Sequence, residues 1–422
     1  MSVLLGLGSN LEDRCGNLEK ALAALSELAG TSLIRWSTLY ESEALLKPES
    51  PSAWNRPYLN VAVELSTSLQ PHDLLAATQQ IEKRLGRIKK ERWAPRILDI
   101  DILAYHDESI VTNDLVIPHV GLCERAFVLT PLAEIVPSRR LPGMAETLIQ
   151  LKRTINEPLP AWMSVVNVTP DSFSDGGRWF NNDVPGSIPS ELLAGNYIDV
   201  GGESTRPGAV DVDPEMEWRR VAPVLEQLDQ HYSGRLLRPK ISIDTRSAST
   251  AARAIKAGAS IVNDVSGLAD PAMIDVIVDS GCDLILMHSL SVPADPGDVL
   301  PPDVDPLVSL RSWFVKMLDK LCRAGISTDR VIMDPGIGFG KTASQSLEII
   351  RRARELMDLD CRLLFGHSRK SFLEPMTKVP PNQRDPETLA VSARLASLGV
   401  DILRVHALDL HRRFWRVHQR TG

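Results

Sequence analysis

Two carboxylates one residue apart, Asp99 and Asp101, lie in the stretch Arg92-Trp-Ala-Pro-Arg96-Ile-Leu-Asp99-Ile-Asp101. From Ile97 onward apolar and polar residues alternate as in a strand, so Leu98, Ile100 and Ile102 point one way and Asp99 and Asp101 the other. Paired carboxylates on one face suit a hard cation with oxygen ligands, and Mg²⁺ is the usual one beside phosphates. Arg92 and Arg96 precede them and are of the type that holds phosphate oxygens. A solvated edge strand would also carry Asp-x-Asp, but it would not call for the adjoining Arg-Trp-Ala-Pro-Arg. A second stretch, Val331-Ile-Met-Asp334, stops at a carboxylate and opens into Pro-Gly-Ile-Gly-Phe-Gly-Lys341. It reads as a buried strand handing over to a flexible, anion-holding glycine loop. It is not a Walker loop, because Pro335 stands where the first Gly is required. Nor is it a dinucleotide fingerprint, because Lys341 stands in the third Gly position.

These residues need elements to carry them. The grammar of the second stretch recurs along the chain. Short apolar runs end at Asn167, Asp199, Asp244, Asn263, Met287, Asp334, Phe365 and Arg404, each opening into polar residues. Eight strand ends carrying chemistry describe a (β/α)8 barrel, whose active site lies at the C-terminal ends of its strands. The segment from Trp162 onward has close to the roughly 250 residues typical of that fold. Between Gly177 and Tyr197 the first barrel helix is poorly written, with only Ser190–Ala194 as helical material and a mobile loop expected at 171–182.

The first half reads differently. A strand at Val3–Leu7 precedes a helix capped by Asn17, with Leu18, Ala21, Leu22, Leu25 and Leu28 as its stripe. Thr31–Tyr40 reads as a strand, 42–57 as a loop, and Asn60 onward as a strand with Val61, Val63 and Leu65 on one face. Pro71 starts a helix with Gln79 and Glu82 on its polar side, able to reach one ligand together. Ala145–Ile155 is a further amphipathic helix. Short strands and helices in this order suggest an α+β sandwich. Domains of 1–157 and 158–422 follow, joined by Asn156-Glu-Pro-Leu-Pro160.

A chain of 422 residues is long for one core, and its net charge of −7 argues against nucleic acid or an anionic membrane as partner. The five cysteines are scattered without Cys-x-x-Cys spacing, which suggests reduced core thiols rather than zinc or disulfides. No apolar run approaches membrane length. With a first strand starting almost at Met1, a cytoplasmic protein is expected.

Gly8-Ser-Asn10, Tyr58-Leu-Asn60, Arg92-Trp-Ala-Pro-Arg96, Leu98-Asp-Ile-Asp101, Pro118-His119 and Arg125-Ala-Phe127 together resemble 6-hydroxymethyl-7,8-dihydropterin pyrophosphokinase. The resemblance implies a ferredoxin-like sandwich that moves pyrophosphoryl from ATP to the pterin hydroxymethyl. It gives Asp99 and Asp101 to Mg²⁺. Gln79, Glu82, Arg92, Trp93, Arg96, His119 and Arg125 go to ATP. Tyr58 and Phe127 sandwich the pterin, with Asn60 and Ser42 on its polar edge. Asp99, Asp101 and Arg92 are its catalytic residues. A flat heteroaromatic needs such stacking plus a few placed polar groups, and phosphoryl-type transfer is mostly positioning and charge neutralisation. Asp114 departs from the family, which often has a basic residue near that position. A catalytically weak kinase-like module is therefore the alternative for this half. Arg87, Lys89 and Lys90 receive no role.

The second half is similar to dihydropteroate synthase through Asn167–Gly177, Asp199–Gly208, Asp334–Lys341 and Ser368-Arg-Lys-Ser371. That resemblance implies condensation of the pterin pyrophosphate with p-aminobenzoate, releasing pyrophosphate. Asp244, Asn263 and Asp334 would hold the pterin ring with Met287 and Lys370 beside it, Asp244, Asp334 and Lys370 being catalytic. Asn167, Arg404 and His406 would face pyrophosphate and Mg²⁺, with Asn167 the metal ligand. Thr205 and Arg206 lie on a loop near p-aminobenzoate, with Ser368 near its carboxylate. Carboxylates can accept ring N–H groups and stabilise a cation as pyrophosphate leaves. Together the halves imply a bifunctional transferase of folate biosynthesis, with a homodimer through the barrel as a further expectation. A pterin-binding methyltransferase barrel is the runner-up, opposed by Ser-Arg-Lys-Ser.

Overall fold

The segment Val3–Ser9 has apolar residues at nearly every position and no proline, and it forms β1, the strand around which the first sheet is built. It is flanked by β4 (Tyr58–Thr67) and β5 (Asp99–Tyr105), both antiparallel to it. β2 (Thr31–Trp36) and β3 (Tyr40–Ser42) pair with β4, and the order is β2-β4-β1-β5. α1 (Arg14–Ser26) and α2 (Pro71–Arg84) cover one face, where Leu5, Leu7, Leu22, Val63, Ile81 and Ile100 meet. α3 (Ala126–Ile135) and α4 (Leu148–Arg153) cover the other, over Leu4, Ala62, Leu103 and Leu129. A small hairpin, β6 (Ile110–Val111) with β7 (Val116–Ile117), completes an α+β sandwich of ferredoxin-like kind.

The second unit is a closed parallel barrel. β8 (Ala161–Asn167) is followed by a short pair, β9 (Phe180–Asn181) and β10 (Val184–Pro185), and then by β11 (Tyr197–Gly201). β12 (Lys240–Asp244), β13 (Ile261–Asp264), β14 (Asp283–Met287), β15 (Val331–Asp334), β16 (Arg362–Phe365) and β17 (Ile402–Val405) bring the chain back to β8. α5 (Pro214–His231), α6 (Ala248–Lys256), α7 (Ala272–Ser280), α8 (Pro306–Arg323), α9 (Ala343–Arg351), α10 (Glu374–Thr377), α11 (Asp385–Ser397) and α12 (Leu408–Thr421) follow in turn. This is a TIM barrel with its eight expected strands. Where the first helix was poorly written, the described residues hold a 3₁₀ turn at Leu192–Ala194.

The computed structural model describes residues 2–421 apart from 89–90, 92, 157, 170–179, 182–183, 186–187, 189, 206–207 and 296. Arg92, Arg206 and most of the expected mobile loop at 171–182 lie outside the described residues. The chain divides into Met1–Leu159 with Gly234–Arg238, and Pro160–Ser233 with Pro239–Gly422. No described helix is long and apolar enough to cross a membrane, and all five cysteines are free.

Several local expectations are corrected. The cap of α1 is Asp13, whose Oδ1 accepts from Gly16 N at 3.0 Å, while Asn17 is buried and donates to Leu11 O at 3.0 Å. The earlier carboxylate reaches the free N–H groups first. The strand expected over Thr31–Tyr40 breaks after Trp36 and resumes at Tyr40. The helix expected over Ala145–Ile155 is only α4, because Thr147 forms a capping box with Gln150 and starts it late.

Glu134 on α3 is 4% exposed, and its carboxylate accepts from Thr38 N at 3.0 Å, Thr38 Oγ1 at 2.9 Å and Tyr40 Oη at 3.0 Å. This network fastens β3 to the helix. Glu134→Ala removes a buried carboxylate that three donors share and is expected to cost about 3 kcal/mol. Urea unfolding of the first unit would read this as an earlier midpoint, and an unchanged midpoint would refute it.

Candidate active sites

In the first unit the glycines of β1 make the site. Gly8 is paired with Asn60 on one side and Asp99 on the other, and Gly6 with Ala62 and Asp101. A Cβ on Gly8 would lie 3.4 Å from the Tyr58 ring and 3.5 Å from Asn60 Oδ1. The bare strand therefore lets the carboxylates of β5 face the aromatic and amide groups of β4 across an open floor. The cavity above it is about 310 Å³ and is lined by Ser42, Tyr58, Asn60, Trp93, Arg96, Asp99, Asp101, His119, Arg125 and Phe127, among others.

Electrostatics there are tense. Arg96 Nη1 donates to Asp99 Oδ2 at 3.0 Å, and Arg87 Nη1 to Asp99 Oδ1 at 2.6 Å. The Asp101 carboxyl is pushed up to about 7, first by burial and then by the neighbouring charge of Asp99. A buried carboxyl raised beside a second carboxylate on one strand face fits a divalent cation, which would favour the ionised form of Asp101. His119 Nδ1 accepts from Gly121 N at 3.1 Å, which leaves Nε2 as the protonated nitrogen of the neutral ring. Burial and then Arg125 keep that ring below its ordinary pKa. Asn60 Nδ2 donates to Tyr40 O at 3.1 Å and Ser42 Oγ at 3.0 Å, so its Oδ1 remains for a ligand.

The structure does not bring Gln79 and Glu82 together on one cavity. Gln79 is exposed and away from the lining, whereas Glu82 is buried, accepting from Ile100 N at 2.8 Å and pairing with Arg87. The helix turns Glu82 under the sheet edge because its side chain caps the β5 backbone. Asp114 is not among the lining residues; it accepts from Thr112 Oγ1 at 2.9 Å in an exposed turn. Two residues escaped the sequence reading. Arg87 bridges Glu82 to Asp99. Asn10 exchanges hydrogen bonds with the backbone of Arg96 at 2.8 and 3.3 Å. Asn10 was visible in Gly8-Ser-Asn10, but only as a motif.

In the barrel, strand register brings Gly201, Asp244 and Asn263 into one row. A Cβ on Gly201 would meet Asp244 Cβ at 3.3 Å and Asn167 Oδ1 at 3.7 Å. A Cβ on Gly366 would lie 3.5 Å from Asp334 Oδ2, 3.9 Å from Lys370 Nζ and 4.0 Å from Arg404 Cδ. These candidates converge. Arg404 Nη2 donates to Asp244 Oδ2 at 2.9 Å and its Nε to Asp199 Oδ2 at 2.6 Å. Lys370 Nζ donates to Ile337 O at 2.6 Å, lies 4.7 Å from the Phe339 ring centroid, and is lowered to about 8 chiefly by burial. Met287 is buried beside Phe339, and His406 Nδ1 is 3.0 Å from Ser368 Oγ. Thr205 is half-buried, and its backbone carbonyl lies 3.5 Å from Ala294 N.

Lys341 corrects the anion-loop expectation. It is 6% exposed and turned inward, with Nζ 2.8 Å from His288 Nδ1, 3.1 Å from His288 O and 2.7 Å from Phe339 O. Its three donors are used on the protein. The positive φ of Gly336, Gly338 and Gly340 folds the loop back over β14, and Lys341 staples it there. Asp199 was marked only as a strand end, because such a carboxylate gives no sign of which neighbour it holds.

The family described as 7,8-dihydro-6-hydroxymethylpterin-pyrophosphokinase matches residues 4–137, and the family described as pterin binding enzyme matches 163–406. The chain is 36% identical over 431 residues to a folate synthesis bifunctional protein of Chlamydia caviae, covering 97% of this chain and 96% of that one. An Arabidopsis thaliana protein of the same description is 31% identical, with 96% and 92% covered. A dihydropteroate synthase from Anaplasma phagocytophilum, solved with bound 6-hydroxymethylpterin-monophosphate, is 30% identical. It has a TM-score of 0.54 and covers 62% of this chain and 99% of that one. One from Xanthomonas albilineans, solved with 4-aminobenzoic acid, is 33% identical, with a TM-score of 0.53 and 62% and 92% covered.

The Asp244 carboxyl is pushed up to about 8 by burial and then by Asp199, against the opposing pull of Arg404. A folded pKa above the unfolded value of about 3.9 gives stability that is full below that pH and lost as pH rises through about 8. The thermal midpoint of the unliganded barrel should therefore fall over this window more steeply in the wild type than in Asp244→Asn. Parallel calorimetric pH profiles would refute the assignment.

Proposed function

This chain belongs to the bifunctional folate synthesis proteins, and we propose how its residues divide two consecutive reactions between the units. In the first, the hydroxymethyl oxygen of 6-hydroxymethyl-7,8-dihydropterin bonds to the β-phosphorus of ATP and gives up its proton, the bond from that phosphorus to the α,β-bridging oxygen breaks, and AMP leaves. Tyr58 and Phe127 stack on the pterin, while Asn60 Oδ1 and Ser42 meet its polar edge. Arg96, Trp93, His119 and Arg125 hold the nucleotide, His119 through its Nε2–H. Asp99 and Asp101 would hold Mg²⁺, which when bound supplies charge neutralisation at the phosphate oxygens. Arg87, tied to Asp99, joins the phosphate side. The observation that carries this reading is the glycine floor of β1, which sets paired carboxylates opposite an aromatic and an amide.

In the second reaction the p-aminobenzoate nitrogen bonds to the pterin methylene carbon, the bond to pyrophosphate breaks, and the amine loses a proton. The product is dihydropteroate. Asp244, Asn263 and Asp334 hold the ring, with Met287 and Lys370 beside it. Asn167, Arg404 and His406 face the leaving group, Asn167 as the residue toward Mg²⁺. Thr205 and Ser368 lie on the p-aminobenzoate side. The convergence of Asp334, Lys370 and Arg404 around Gly366 supports one charged pocket for the ring and the departing anion. No enzyme nucleophile is required. A cytoplasmic location and a homodimer complete the reading.

The test is one pot: the full chain with ATP, Mg²⁺, hydroxymethyldihydropterin and p-aminobenzoate, assayed for AMP and dihydropteroate. Both products are expected, and neither would overturn the reading. Asp99→Ala should cut AMP formation by on the order of a thousandfold. It should leave dihydropteroate formation from supplied pterin pyrophosphate unchanged. Chelation of Mg²⁺ should stop AMP formation in the wild type, and its return should restore it. A chelator-resistant rate would remove the cation from Asp99 and Asp101.

A further inference from the structure

Asp199 is fully buried, and the mechanism above gives it no contact with any reactant. Its place is one layer down. Register pairs Asp199 with Ser242, two residues below the row in which Gly201, Asp244 and Asn263 stand. From there a single oxygen, Oδ2, serves two residues of the pocket: it accepts from Arg404 Nε at 2.6 Å and from Asn263 Nδ2 at 3.0 Å.

The second of these bonds has a directional consequence. A carboxylate oxygen that already accepts from a guanidinium can only accept. The Asn263 amide must therefore turn its nitrogen toward Asp199 and its oxygen away. That oxygen is buried with no hydrogen-bond partner among the described residues, in a side chain only 3% exposed. An orphaned buried acceptor is costly and is satisfied by whatever fills the pocket. With the amide locked, the filling group must bring a hydrogen. Were the amide free to flip, it could present a donor instead and accept a ligand of the opposite polarity.

We propose that Asp199 is a positioning and specificity residue of the barrel reaction, locking the Asn263 amide so that the pocket offers an acceptor to an N–H of the pterin ring. This rests on the reading of Asn263 as a ring-binding residue. Asp199 also pins the Arg404 guanidinium at Nε, which leaves Nη2 directed at Asp244. One buried carboxylate thus sets the orientation of two neighbours that do meet the ligand.

The test uses the full chain, supplied with pterin pyrophosphate and p-aminobenzoate and read as dihydropteroate. Asp199→Ala should raise KM for the pterin substrate about tenfold or more, with KM for p-aminobenzoate within about twofold. Asn263→Asp sets two carboxylates against each other and should be severely impaired. Adding Asp199→Asn to it reverses the donor, because the new amide now donates to Asp at 263, which still offers an oxygen to the ring. This swapped pair should recover at least about fivefold in kcat/KM over Asn263→Asp alone. A role confined to packing would give no such recovery. If Asp199→Ala does not fold, the swapped pair decides alone. Both KM values rising together, or no recovery on swapping, overturns the inference. A wild type that makes no dihydropteroate overturns the barrel reading as well, whereas an active wild type with an indifferent Asp199→Ala overturns this inference only.

Discussion

The burial of charge at the barrel mouth is the constraint on which the second unit depends. Asp199, Asp244 and Asp334 lie within reach of Arg404 and Lys370 in a region largely closed to water. Like charges in such a place raise one another's cost, and opposite charges offset it only in good geometry. Arg404 supplies that geometry by spanning two carboxylates at once. The surrounding apolar barrel, with Ile243, Val262, Met333 and Leu403 buried in its strands, holds the strand ends at fixed spacing. Without that spacing the charges would drift apart into solvent, and the raised carboxyls of Asp244 and Asp334 would fall back toward their ordinary range.

The first unit meets a related problem by a different device. Its carboxylates sit on one strand, and the aromatic and amide groups opposite them sit on another. What lies between them is a strand with no side chains at the two positions that count, Gly6 and Gly8. A Cβ at Gly8 would stand in contact with Tyr58 and Asn60 and fill the space between them, and one at Gly6 would come within 3.1 Å of Leu103. Absence of bulk in β1 is thus as specific a requirement as the presence of Asp99 and Asp101. The loop of Trp93 and Arg96 is then drawn down by the reciprocal bonds to Asn10, which directly follows that strand.

Much of this was legible in the chain because it was periodic or repeated. Alternation from Ile97 to Ile102 put Asp99 and Asp101 on one face, and eight apolar runs ending in polar residues described a barrel. What was not legible depended on which of several partners a side chain would choose. Asp13 rather than Asn17 caps α1, though both are capping types. Glu82 turns inward to the Ile100 backbone, though helical spacing alone allows it to share a ligand with Gln79. Lys341 stands in a sequence that suggests anion binding and instead ties its own loop to His288 and Phe339. Asp199 looks like one strand end among eight until register sets it a layer below the others. Such choices are fixed by distances across the fold, and one-dimensional spacing does not carry them.

Asn60 in one unit and Asn263 in the other have their amide nitrogens committed to the protein, through Tyr40 O and Ser42 Oγ in the first and Asp199 in the second. Each therefore offers only oxygen. On the proposed reading, in which both amides face the pterin ring, a heterocycle that is a ligand of both sites would meet the same demand twice. A tautomer or congener that lacks a hydrogen at the facing nitrogen leaves an acceptor unpaired, at a cost of about 1–3 kcal/mol on each occasion. Two modest filters in series multiply. On that reading the chain would reject a wrong ring more sharply than either pocket alone, without an editing step.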